Sequence, residues 1–297
     1  MSRIDYKLLH ALSMVMQEQS FERAAGVLCI SQSAVSQRIK QLEEFVAHPV
    51  IVRGQPIVPT PIGQQLLSHF RQVQQLESVL LPEIISDQTN SSIKLSIAVN
   101  ADSVATWFFT VMAPLLSEFP IELNLLIDNE VKTLEKLKSG EAFGAVSAEK
   151  QPLSGFKAYE LGDMEYILVA NPEFKQRYFA HGINADTLRF APGVSFDPKD
   201  DTHVQFIYQH FGLKAGSYPR HTVRSSEAFV DLACQGVAYS LLPRLQISRE
   251  LAEGKLVNLL PQKSFTQTLY WHCWVMQRGV YKQVSDVMVK QARRCLD

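Results

Sequence analysis

Two groups of polar residues in this 297-residue chain have the types and spacing that chemistry needs. In the first, Gln32, Ser33, Ser36, Gln37 and Lys40 lie on one side of a segment whose other side carries Val35, Ile39 and Leu42 at helical intervals. A Gln side chain pairs bidentately with adenine in the major groove, and Ser bonds to bases or phosphates. Ser31 is the predicted N-cap, which puts the set at the beginning of a helix, the part that approaches DNA in helix-turn-helix proteins. Arg38 and Lys40 are suited to phosphates. The same spacing serves a solvated face on a three-helix bundle equally well. Residues 1–60 hold six basic and five acidic side chains, an excess too small to decide between the two.

The second group sits where strands are expected to end. Asn100, Asp102, Ser103 and Thr106 leave one strand and open a helix, Asp128 and Glu130 leave another, and Ser147 a third. Farther on, Asp197 follows a strand, and Ser225, Ser226 and Glu227 open a helix. In open α/β sheets, ligands bind beyond the carboxyl ends of the strands. Helix N-termini with Ser or Thr suit a carboxylate, here Ser103, Thr106, Ser225 and Ser226. Asp102, Asp128, Glu130 and Asp197 suit a cation. A molecule with one carboxylate and one or two cationic groups satisfies both sets, which describes lysine or arginine. Asp and Ser at these places also serve as plain caps and turn residues.

The elements that must position these groups change character along the chain. Asp5, Ser20 and Ser31 are N-caps for three short helices, the first with Leu8, Leu12 and Met16 on one face, the second with Phe21, Ala24, Ala25 and Leu28. Thr60-Pro61 opens a longer helix in which Leu66, Val73 and Leu80 recur at seven, a coiled-coil spacing that Pro82 is expected to end or kink. Residues 86–92 read as a linker. Beyond it, predicted strands at 93–99, 121–127, 143–147, 166–170, 193–196, 239–242 and 269–275 alternate with helices, which points to a mostly parallel sheet. The fold class is therefore α/β with an all-α head.

Hydrophobic residues make up 46% of the chain and charged residues 20%, which excludes a disordered protein. No apolar run reaches the length of a membrane helix, and the N-terminal segment lacks an export signal's cleavage site, so a cytoplasmic protein is expected. Four cysteines without CxxC spacing argue against a zinc site. No GxSxG, HExxH, P-loop or GxGxxG stands in the required context, so neither catalysis nor a cofactor is expected.

Residues 20–53, SFERAAGVLCISQSAVSQRIKQLEEFVAHPVIVR, with Pro59-Thr60 and Gly63, closely resemble the DNA-binding domain of the LysR-type transcription regulators. Ala47 departs from the family's usual Gly and Ile51 from its usual Phe. The resemblance implies a winged helix-turn-helix over 1–59 with its wing at 44–59, and Arg53 on a phosphate. It gives a DNA-facing set of Arg23, Ser31, Gln32, Ser33, Ser36, Gln37, Arg38, Lys40 and Arg53. It also implies a dimerisation helix and hinge over 60–92, and a two-lobed effector domain over 93–297 that looks like a type 2 periplasmic binding protein. Lobe I would be 93–162 and 270–297, lobe II 163–269, with hinges near 162–165 and 267–270.

Residues 95–108, 188–203 and 225–236 look like the subgroup that responds to arginine and lysine and was also described as inhibiting chromosome initiation. That resemblance implies control of amino-acid export and biosynthesis genes. The implied partners are double-stranded promoter DNA, RNA polymerase, a basic amino acid and a second or further copies of the chain, with no membrane. A replication-origin or architectural DNA binder without an effector is the alternative. It needs only the head and the dimer helix.

Overall fold

A computed structural model describes residues 4–84, 92–128, 130–196 and 201–296. The head is built from α1 (Tyr6–Glu18), α2 (Phe21–Leu28) and α3 (Gln32–Val46), followed by a two-stranded ribbon, β1 (Ile51–Val52) and β2 (Val58–Pro59). Each helix starts where the caps predict. Asp5 accepts from the Lys7 N–H, Ser20 from that of Arg23 and Ser31 from that of Ala34. Leu9, Leu12, Ala24, Val35, Ile39 and Leu42 are fully buried in one core. Each buried Leu or Ile contributes about 1.5–3 kcal/mol relative to exposure. The buried face of α1 differs from the expected one. It is Leu9, Ala11, Leu12 and Val15, with Leu8 and Met16 half-buried, because α1 packs on α2, α3 and the long helix together.

The wing begins later than expected. Helix α3 continues through Val46, and Ala47 then takes the left-handed conformation (φ 55°), its N–H reaching the Glu43 and Glu44 carbonyls. Residues 44–46 are thus helical, and the ribbon occupies 51–59. Ile51, in place of the usual aromatic, is buried in the head core.

Helix α4 (Pro61–Ile84) is opened by Thr60, whose hydroxyl accepts from the Gly63 N–H and donates to the Pro49 carbonyl. Pro82 does not end it. It removes a single N–H from the last turn, and the helix runs on to Ile84. Leu67 and Phe70 of α4 belong to the head core, so this core crosses the expected boundary at 59/60.

The larger region opens with β3 (Ile93–Val99), α5 (Ala101–Ser103), a π-helical turn (Val104–Phe108) and α6 (Phe109–Glu118). Then come β4 (Ile121–Ile127), α7 (Glu130–Lys138), β5 (Gly144–Ser147) and β6 (Phe156–Ala170). These are followed by α8 (Pro172–Phe179), α9 (Ala185–Leu188), β7 (Gly193–Ser195), α10 (Asp201–Phe211), β8 (Arg220–Thr222) and α11 (Ser226–Cys234). The chain ends through β9 (Ser240–Pro243), a 3-10 turn (Arg244–Ile247), α12 (Ser248–Ala252), β10 (Val257–Asn258), β11 (Phe265–Trp274) and α13 (Gly279–Leu296).

The main sheet runs β10-β6-β11-β5-β3-β4, with β9 also on β6. It is mixed, not mostly parallel. β3 is parallel to β4 and β5, while β6 and β11 are antiparallel to each other and to their other neighbours. β6 and β11 are long enough to serve both lobes. Leu269 pairs with Gly162 but Tyr270 pairs with Glu160, which leaves Leu161 as an extra residue where the hinges were expected. Such a bulge bends the strands, and Gly162 supplies the φ of 134° at the bend. Because β4, β3 and β5 lie side by side in parallel, their carboxyl ends open at one edge.

Candidate functional site

On the head, Gln32, Ser33, Gln37 and Lys40 are exposed on α3, and Ser36 and Arg38 are half-buried, opposite the fully buried Val35, Ile39 and Leu42. Ser31 caps the helix and its hydroxyl lies 2.9 Å from that of Ser33, so both are tied to the helix start. Lys40 stands 3.7 Å from Glu44, a solvated i,i+4 pair that a phosphate can displace. Arg23 is exposed beside α3 and bonds to the Glu18 carbonyl, while Arg53 in the wing lies 5.6 Å over the Phe21 ring. These contacts hold two guanidinium groups on the same head as the α3 face.

In the larger region the strand-end residues divide. Asp102 is the meeting point. Its Oδ1 accepts from the Ser226 hydroxyl at 2.6 Å, and its Oδ2 from the Tyr166 hydroxyl at 3.0 Å. Asp102 lies before the hinge bulge and its two donors after it, so one carboxylate joins the two halves of the domain. The Gln246 amide stands 3.0 Å from the same Ser226 hydroxyl. The π-helical turn after Ser103 brings the Thr106 hydroxyl back onto the Asp102 carbonyl at 2.6 Å, so Thr106 fixes this turn with its own proton. Asn100 is buried at the strand end, and Ser103 is fully buried with its hydroxyl unbonded.

The other residues of this set stand at neighbouring strand ends or serve a helix end. Asp128 follows β4 and pairs with Lys132 at 3.3 Å, and the buried Ser147 ends β5 and accepts from the Glu149 N–H. Ser225 caps α11 and donates to Glu227 at 2.9 Å, so these two serve the helix end, with Glu227 exposed. Asp197 and the Glu130 side chain lie outside the described residues.

Tyr166 and Gln246 are members that the sequence pattern did not reveal. Tyr166 starts the stretch read as a strand, but only the passage of β6 through the bulge brings its hydroxyl to Asp102. Gln246 lies on a 3-10 turn that carries no pattern of its own. Ser195 ends β7 fully buried with its hydroxyl unbonded, a further polar group in the second lobe. No group of three metal-ligating side chains occurs among the described residues, and no helix there is long and apolar enough to cross a membrane.

Comparison with known proteins matches residues 6–64 to the bacterial regulatory helix-turn-helix protein, lysR family, and residues 89–278 to the LysR substrate binding domain. The chain is 54% identical to the HTH-type transcriptional regulator ArgP of Aeromonas salmonicida over 100% of this chain and 99% of that one. It is 50% identical to ArgP of Vibrio vulnificus over 99% and 98%. Among solved structures, ArgP from Mycobacterium tuberculosis superposes with a TM-score of 0.87 at 32% identity, covering 98% of each chain. Full-length LysG from Corynebacterium glutamicum with bound effector Arg superposes with a TM-score of 0.81 at 30% identity, covering 99% of each.

Proposed function

The chain belongs to the LysR family of bacterial transcription regulators, and on that premise we propose that it senses arginine or lysine in the cleft at Asp102 and passes the signal to its DNA-binding heads. The observation that carries this reading is the placement of Asp102, a carboxylate shared by both halves of the effector domain. A guanidinium or ammonium group satisfies such a carboxylate more strongly than two neutral hydroxyls do, since ionised pairs form the stronger hydrogen bonds. The effector's own carboxylate would then meet the hydroxyls and N–H groups at the nearby helix starts, Ser103 on one lobe and Ser226 on the other. Arginine in the related LysG structure supports the same ligand class here. A ligand that replaces hydroxyls between the lobes favours one lobe arrangement over others, which is the differential affinity that allostery requires.

On the DNA side, the helix at 32–46 enters the major groove. Gln32, Ser33, Ser36 and Gln37 read base edges, and Arg23, Arg38, Lys40 and Arg53 hold phosphates. The chain acts in the cytoplasm as a homodimer or tetramer paired through α4, matching a two-half-site operator, and works with RNA polymerase on amino-acid export and biosynthesis genes. The test is Gln32→Ala with Ser33→Ala, assayed on duplexes selected by the unaltered protein and on random DNA. Specific affinity falls by about 10-fold or more while random-sequence affinity holds. Equal losses on both DNAs would contradict base reading by α3.

A further inference from the structure

Helix α7 is held at its two ends by different parts of the molecule. Near its N-terminal end, Lys132 pairs with Asp128 at the end of β4, and the Thr133 hydroxyl donates to the Val146 carbonyl at 2.9 Å, next to Ser147. These are strand ends of the proposed effector cleft. At its C-terminal end the partner is the long helix α4. Ser68 Oγ donates to the Lys138 carbonyl at 2.9 Å, and Arg71 Nη1 donates to the Ser139 carbonyl at 2.7 Å. Helix C-termini leave their last carbonyls without intrahelical partners and carry the negative end of the helix dipole, so a guanidinium is the fitting donor there.

The seat for Arg71 is specific. Gly140 reverses the chain at φ 71°, and a Cβ there would stand 3.2 Å from the Arg71 Cβ. Glu141 lies opposite the guanidinium, itself fixed by Lys136 at 2.8 Å and Ser139 at 2.9 Å. Burial raises its carboxyl, but the bonds to Lys136 and Ser139 and the charge of Arg71 outweigh that and hold it below the usual range. The Arg71 stem and the charged end are thus both accommodated by the turn that follows α7. Four residues and one residue before Arg71, α4 places Leu67 and Phe70 in the head core. A nine-residue helix is about 13 Å long, so α7 links the cleft to the shaft that carries the head.

We infer that Arg71 is the positioning residue through which occupancy of the cleft sets the angle of α4, and with it the DNA-binding heads. The inference rests on the effector reading of the cleft. A ligand at Asp102, Asp128 and Ser147 fixes the strand ends from which α7 departs. The C-terminal carbonyls of α7 then hold or release Arg71 and Ser68, and α4 moves with them. Arg71→Met keeps an unbranched stem of good helix propensity over Gly140 and removes the donor and the charge. Ser68→Ala removes the neighbouring bond independently.

The experiment measures DNA affinity by fluorescence anisotropy for the full chain, on duplexes selected from a random pool by the unaltered protein, with and without saturating arginine. Calorimetry of arginine binding and thermal unfolding accompany it for each variant. Arg71→Met keeps its arginine affinity and its fold, but its ratio of DNA affinities with and without arginine moves toward one, by about 2- to 30-fold. Ser68→Ala moves the ratio the same way by less. A wild-type ratio in a folded Arg71→Met protein overturns the inference and leaves the effector site standing. If Arg71→Met unfolds, an unchanged ratio in Ser68→Ala overturns it instead. If the unaltered protein binds lysine and not arginine, lysine replaces arginine throughout; failure to bind either overturns the effector reading, and this inference with it.

Discussion

At the scale of single residues, Asp102 and His203 show how position decides what a polar group does. Asp102 accepts hydroxyls from across the hinge. Replacing it with Asn keeps the shape and removes the charge, and arginine and lysine affinity then falls by about 30-fold or more, read by calorimetry. Unchanged affinity would remove Asp102 from the site. His203 is buried against the Tyr239 ring, 5.6 Å away and stacked at 25°. Burial, reinforced by the charge of Arg220, pushes its imidazole down to about 3. The unfolded chain titrates this group near 6.5, so the neutral histidine stabilises the fold fully above that pH, and the contribution is lost as pH falls toward 3. Between pH 7 and pH 5 the protein therefore loses about 2 kcal/mol that a His203→Phe variant retains, measured by urea unfolding at the two pH values. Equal pH dependence in both proteins would contradict this. Asp102, Ser103 and Ser226 were legible in the sequence because strand-end acids and helix-start serines form a pattern. Tyr166 and Gln246 were not, because their relevance arises only when distant segments close on the Asp102 carboxylate and on the Ser226 hydroxyl bonded to it.

At the scale of elements, capping chemistry was the most readable layer. Asp5, Ser20, Ser31 and Thr60 each begin a helix as expected, since a cap is a local bargain between one side chain and nearby N–H groups. The end of α3 was less readable. Ala47 adopts the left-handed cap without being glycine, which carries a cost of about 1 kcal/mol. Ala47→Gly accordingly raises stability by about 0.5–1 kcal/mol in a denaturant titration of the full chain followed through the head. A loss of stability would mean that the alanine methyl makes a packing contact worth more than the strain. Strand direction was not legible, because β4 pairs in parallel with β3 yet its first five residues alternate half-buried and exposed, as those of an antiparallel strand do. The first ten residues of β6, FKAYELGDME, alternate without a continuous apolar run, and only their pairing with β11 makes them a strand.

At the scale of the whole molecule, the change from an all-α head to an α/β region was legible because helices and alternating strand-helix segments have different periodicities. The seam between parts was not, since Leu67 and Phe70 serve the head while Ser68 and Arg71, on the same helix, serve the effector domain. That sharing ties α4 to both regions, and under the proposed reading it gives a ligand at Asp102 a route to DNA. Under the proposed function, the cleft recognises a basic amino acid. The most direct measurement is calorimetric titration of the full-length protein with arginine, lysine and leucine. Saturable binding of arginine or lysine and none of leucine is the expected result. Equal binding of leucine, or no binding of either basic amino acid by a protein that still binds DNA, would contradict it.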